Sequence, residues 1–238
     1  MNRLIATLNR ELISQMRNGF YIASIFIIMV WIALFQLLPR DSLIDFSLIF
    51  PAFIMLNLLM TTFYFVGALV LLEKSEGSLM GLVVTPLRAH DYLSAKIISL
   101  VGLAGVETLL VLLFVSHLDL RLFPILAAII SMGSIFTLIG FVVVMPYDSI
   151  NTYLLPSVLV VLALLLPLLH HFDIWQTPLI YLHPLQPAMS LARFAFMPET
   201  QSGAQLAYGI GGSLIWMLLI FEWARGRYAY LARRLVEA

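Results

Sequence analysis

Six runs of roughly twenty mostly apolar residues, each bounded by charges, proline or glycine, constrain this chain more than any other feature. They cover approximately residues 20–38, 46–72, 92–116, 122–145, 153–169 and 204–223. A helix needs about 20 such residues to cross a hydrocarbon core of about 30 Å, and only helices or closed barrels satisfy their backbone groups there. A soluble fold would have to hide these runs beneath a charged shell. With 62% hydrophobic and 11% charged residues, the chain has too little charge to build one. The expectation is an all-α polytopic membrane protein, a single transmembrane domain over residues 1–238 with six spans. The second run is long enough to tilt, to project from the membrane, or to kink near Pro51. The fifth is short and carries Pro156 and Pro167. The first is longer than a usual signal h-region and ends in Leu-Leu-Pro-Arg without a small-residue cleavage pattern, so it reads as a retained span.

Net charge is zero, which argues against a nucleic-acid partner, and the absence of cysteine removes disulfides, thiol nucleophiles and thiolate metal sites. The distribution of charge says more. Arg3, Arg10, Arg17, Lys74, Arg88, Lys96, Arg225, Arg227, Arg233 and Arg234 fall in the two tails and the second loop, and only Arg40, Arg121 and Arg193 fall in the first, third and fifth loops. Ten against three places both termini in the cytoplasm, in a cytoplasmic (inner) membrane. Ahead of the first span, Leu4, Leu8, Leu12 and Met16 recur every four residues while Arg3, Arg10 and Arg17 lie seven apart. That pattern predicts an amphipathic helix over residues 1–18, lying on the membrane with its basic face toward lipid headgroups. The 224–238 tail is expected to meet anionic lipid or a partner protein, with Glu222 and Arg225 paired at i and i+3.

Polar residues inside the runs are the candidate pathway. Glu107 stands eleven residues beyond Lys96 in the third run, or about 16 Å along a helix and near the midplane. A carboxyl group there marks a substrate path, a proton relay or a buried hydrogen-bonded partner. Asn57, Thr61 and Tyr64 at i, i+4 and i+7 draw one polar stripe on the second span, and Gly133, Thr137 and Gly140 a small face on the fourth. Both stripes serve either helix packing or a pathway lining. His170, His171, Asp173 and His183 cluster in one loop, but adjacent histidines do not share a helical face, and no metal is expected.

The connection between spans two and three, residues 73–91, is the most informative stretch. Charges, Gly77, Gly81 and Pro86 interrupt the membrane pattern, while Leu79, Leu82 and Val83 keep a helical rhythm that Pro86 would end. A short helix with an apolar stripe needs headgroups, the rest of the chain or a partner protein to cover it. An acidic residue closing the second span, followed by Glu76-Gly77-Ser78-Leu79, Leu82, Thr85-Pro86-Leu87, Tyr92 and Lys96, resembles the signature of permease subunits of type-2 ABC exporters. The resemblance implies a coupling helix, with Glu73, Glu76, Gly77, Leu79, Leu82 and Pro86 docking on a separate ABC ATPase present in two copies. It further implies an N-terminal elbow helix, re-entrant outer helices over residues 178–198, and pairing with an identical or similar permease to move an amphipathic or hydrophobic substrate outward. No phosphate-cradling Gly-x-x-x-x-Gly-Lys-Ser/Thr loop occurs, so ATP and Mg would bind the partner ATPase and this chain would carry no cofactor and no catalytic residue. Two rivals are an ATP-independent secondary transporter or channel and a membrane-embedded enzyme. The first would be supported by repeated halves, which are not evident. The second lacks both Gly-x-Ser-x-Gly and His-Glu-x-x-His.

Overall fold

Each apolar run forms a helix, and six helices are long and apolar enough to cross a membrane. The computed structural model describes residues 3–38, 45–78, 88–115 and 121–237, with side chains to residue 230. Helix α1 (Arg3–Arg17) precedes span 1, which is α2 (Phe20–Leu37). Span 2 comprises α3 (Phe46–Leu58), a π-helical segment (Leu59–Tyr64) and α4 (Phe65–Ser75). Spans 3 and 4 are α5 (Ala89–Val115) and α6 (Leu122–Val144). Span 5 is α7 (Ile150–Leu164) continued by α8 (Leu166–His171). A 3₁₀ turn (Pro178–Leu182), α9 (Gln186–Phe196) and a second 3₁₀ turn (Pro198–Thr200) lead to span 6, α10 (Gly203–Glu237). The last helix thus runs unbroken through the stretch read from sequence as a tail.

Spans 2 and 4 form the middle of the bundle, with 72% and 83% of their apolar windows buried, whereas spans 1 and 6 bury only 17% of theirs. The core is built where they meet α5 and α9, around Phe53, Leu58, Phe63, Leu100, Met132 and Phe136. Helix α9 is buried along most of its length and packs on α3, α6 and α10, so the proline-rich segment before the last span is an inserted helix.

Span 2 passes through Pro51 without a break. Its irregularity is the π-helical segment, where Thr62 donates to the Leu58 carbonyl at 2.6 Å. A π-turn holds an extra residue and rotates everything after it. The single stripe expected of Asn57, Thr61 and Tyr64 is therefore split: the first two turn toward α5, and Tyr64 turns toward α7.

Helix α1 buries a stripe that its leucine and arginine spacing does not single out. Its buried stripe is Thr7, Glu11 and Gln15, packed on α5, flanked by the half-exposed Leu4, Leu8 and Leu12 on one side and by exposed Arg3, Arg10 and Arg17 on the other. Gly19, at φ 76°, makes the left-handed turn between α1 and α2.

Candidate functional site

Span 2 ends in three charged residues within one turn, and each is used differently. Glu73 points into the molecule and is 7% exposed. Its Oε1 accepts from Lys96 Nζ at 2.9 Å and its Oε2 from the Tyr92 hydroxyl at 2.6 Å. Lys96, 1% exposed, also donates to both carboxylate oxygens of Glu11 at 3.1 Å. Its ammonium lies 4.8 Å from the centre of the Tyr92 ring, which in turn packs on Tyr228 of α10. One turn further along α1, Gln15 donates to Ser99 at 2.9 Å. Two carboxyl groups share one ammonium beneath α1 in a buried charged knot. Burial, offset only in part by Lys96 and reinforced by Glu73, holds the Glu11 carboxyl above the usual carboxylate range.

Lys74 reaches the other way. Its Nζ donates to the carbonyls of Met145 and Tyr147, both at 2.6 Å, and lies 3.4 Å from Asp148. It thereby caps the end of α6, where unsatisfied carbonyls attract a cation. Glu76 pairs with Arg17 at 3.1 Å on the surface. Gly77, at φ 67°, then ends the helix in the left-handed conformation that glycine tolerates best. The foot of span 2 is in this way fastened to α1, α5 and the α6–α7 connection within four residues. Leu79, Leu82 and Pro86 lie outside the described residues.

Of the residues expected at a docking surface, Glu73 faces inward and Glu76 and Gly77 lie at the surface end of the turn. Tyr92 and Lys96, quoted in the motif for their spacing alone, prove to be the partners of Glu73. Sequence reasoning missed Glu11, Gln15 and Ser99. The signal was present, since Thr7, Glu11 and Gln15 recur every four residues, as do Tyr92 and Lys96 with Ser99 one turn on.

A second polar group sits in mid-span. The Thr61 hydroxyl donates to Glu107 Oε2 at 2.5 Å, and Asn57 Nδ2 lies 3.5 Å from that oxygen and 3.0 Å from Thr108. Ser24 of α2 faces the same carboxyl group. All five residues are buried. Thr137 bonds the Gly133 carbonyl of its own helix at 2.8 Å and joins neither group.

Tyr64 lines a different space, a cavity of about 310 Å³ between the starts of α2 and α7 and the middle of span 2, with Phe20, Phe65 and Tyr153 among its walls. Tyr153 is buried, its hydroxyl lacks a hydrogen-bond partner, and it fits only because residue 67 is glycine: a Cβ there would lie 2.7 Å from the hydroxyl oxygen.

In the stretch before α9, His171 bonds the Leu48 carbonyl at 2.7 Å and His183 the Ala163 carbonyl at 3.1 Å, and burial holds the His183 imidazole below the usual histidine range. Among the described residues no group of histidine, aspartate and glutamate is placed to hold a metal ion. Glu222 and Arg225 form the expected surface pair.

Comparison with known proteins agrees with the fold and the motif. No solved structure matches the chain. Two curated relatives, the "Fluoroquinolones export permease protein" chains MT2761 and Rv2687c of Mycobacterium tuberculosis strains CDC 1551 / Oshkosh and ATCC 25618 / H37Rv, are each 31% identical over 212 residues, 88% of this chain and 88% of theirs. The model of the fluoroquinolones export permease protein family matches residues 2–236. With six helices among the described residues long and apolar enough to cross a membrane, and a family match over nearly its whole length, the chain is a multi-pass membrane protein that belongs to the fluoroquinolones export permease protein family.

Proposed function

We propose that this chain is the membrane half of an ATP-driven drug exporter. Both termini lie in the cytoplasm, the 73–91 connection docks on a separate ABC ATPase present in two copies, and a second permease, identical or similar, completes the transport path. ATP and Mg belong to the ATPase. The cargo is an amphipathic aromatic compound of the fluoroquinolone kind, the class for which the relatives are named.

The observation that carries this reading is the charged knot of Glu11, Glu73 and Lys96. The proposed docking connection leaves span 2 and re-enters at span 3, and the knot ties those two ends together and to α1. A push delivered to the connection would move α1, span 2 and span 3 together, and Lys74 would draw the end of span 4 along. A surface salt bridge would give way under such a load, but a buried pair with its remaining oxygens bonded resists separation.

The cavity between span 1, span 2 and span 5 is the proposed first contact for cargo, replacing the single stripe as the place where Tyr64 acts. Its volume of about 310 Å³ sits at the lower end of the roughly 300–1,000 Å³ typical of small-molecule sites. Its walls offer the aromatic faces of Phe20, Tyr64, Phe65 and Tyr153 for a planar ring system. Glu107, Asn57, Thr61 and Thr137 are closed off in this conformation and would meet cargo only if the spans parted.

The test is reconstitution with an ATPase encoded beside this chain. ATP-dependent fluoroquinolone uptake into inside-out vesicles, lost when the ATPase cannot hydrolyse ATP and lost with Gly77→Asp, is the expected result. Uptake that continues without hydrolysis would establish an ATP-independent carrier instead.

A further inference from the structure

The mid-span group of Glu107 is buried among neutral hydroxyl and amide side chains. Glu107 Oε2 receives the Thr61 hydroxyl and faces the Asn57 amide, whereas Oε1 has no partner. Asn57 Oδ1, an acceptor only, is also buried without a donor, and the Ser24 hydroxyl beside the carboxyl group makes no other bond. Buried polar atoms are nearly always paired, which leaves Asn57 Oδ1 as an acceptor in want of a donor. Among the described residues the pocket wall contains no opposite charge. Span 1 contributes Ser24, span 2 Asn57 and Thr61, and span 3 Thr108; span 4, packed on the same helix, has no titratable side chain at all. The nearest cation along α5 is Lys96, about 16 Å away by helical rise and already held by Glu11 and Glu73.

We propose that the Glu107 carboxyl is a proton-binding site, with the proton on Oε1. One proton makes Oε1 a donor, the role that the orphaned Asn57 oxygen, an acceptor only, lacks in its surroundings. The neutral acid then closes spans 1, 2 and 3 on one another at mid-depth, where an unpaired carboxylate is costly. In this state Glu107 offers no standing negative charge to a cationic drug. A cation could replace the proton only after the three spans separate. This assignment goes beyond the exporter reading and holds whether or not an ATPase drives the chain.

The test is infrared spectroscopy of the full chain in lipid nanodiscs near neutral pH. In the parent minus Glu107→Gln difference, the expected result is loss of a carbonyl stretch from a protonated, hydrogen-bonded carboxylic acid. Loss of the paired stretches of an ionised carboxylate overturns the proposal. Thr61→Val provides a second reading should the first variant fold poorly. Removing the donor to Oε2 is expected to raise the acid carbonyl frequency, and a spectrum in which only carboxylate stretches respond contradicts the assignment.

Discussion

Spans 2 and 3 meet at two polar points, and the two are built from opposite chemistry. At the α1 end, Glu73 and Glu11 both accept from the Lys96 ammonium, with Tyr92 on the remaining Glu73 oxygen. In mid-span, Glu107 has hydroxyls and an amide around it but no cation. The first group is a knot of ions whose strength depends on every member remaining in place. The second fits a neutral acid, whose loss of charge costs nothing because there was none to lose. Position along the helix explains the difference, since a lysine close to the end of a span can be solvated during folding whereas one at the midplane cannot.

That contrast can be broken by substitution. Lys96→Met leaves two buried carboxylates facing each other, and a loss of about 3–5 kcal/mol is expected, seen as a collapse of folded yield in detergent. Glu73→Gln keeps the shape but removes one charge from the knot, at a cost of about 1.5–3 kcal/mol read from thermal unfolding. Gly140→Ala tests the packing that shapes the mid-span group: a Cβ there would lie 2.8 Å from the Phe63 carbonyl oxygen in the π-helical segment, a backbone atom that cannot swing aside. Overpacking of this kind costs about 1–3 kcal/mol. Glu107→Gln, a neutral-for-neutral exchange, is expected to change stability by less than about 1 kcal/mol, well below Glu73→Gln. Equal losses for the two glutamates would erase the distinction. Arg17→Ala breaks only the exposed pair with Glu76 and should cost about 0–1 kcal/mol, shrinking further in high salt.

The six spans and the helical start were legible because apolar length and period are properties of neighbouring residues. The motif around Glu73 was legible only as a spacing. Its meaning lay in contacts across long stretches of chain, such as Lys96 with Glu11, 85 residues apart. Two further features escaped for physical reasons. Helix α1 buries Thr7, Glu11 and Gln15 although Leu4, Leu8 and Leu12 are more apolar, because a bilayer can cover leucine at no cost while a carboxylate needs a specific partner. The π-turn at Leu59–Tyr64 changes the helical period, so a stripe counted at 3.6 residues per turn places Tyr64 on the wrong face. Tyr153, an apolar-run residue by sequence, stands out only once its hydroxyl is seen unbonded beside Gly67.

In the proposed exporter the knot transmits the ATPase's stroke to the spans. The direct measurement is drug transported per ATP hydrolysed in vesicles holding the chain and its ATPase, for the parent and for Glu73→Gln. The variant is expected still to bind the ATPase and to permit hydrolysis, but to move several-fold less drug per ATP. An unchanged ratio, with the Glu73 charge removed, would contradict a transmitting role for the knot.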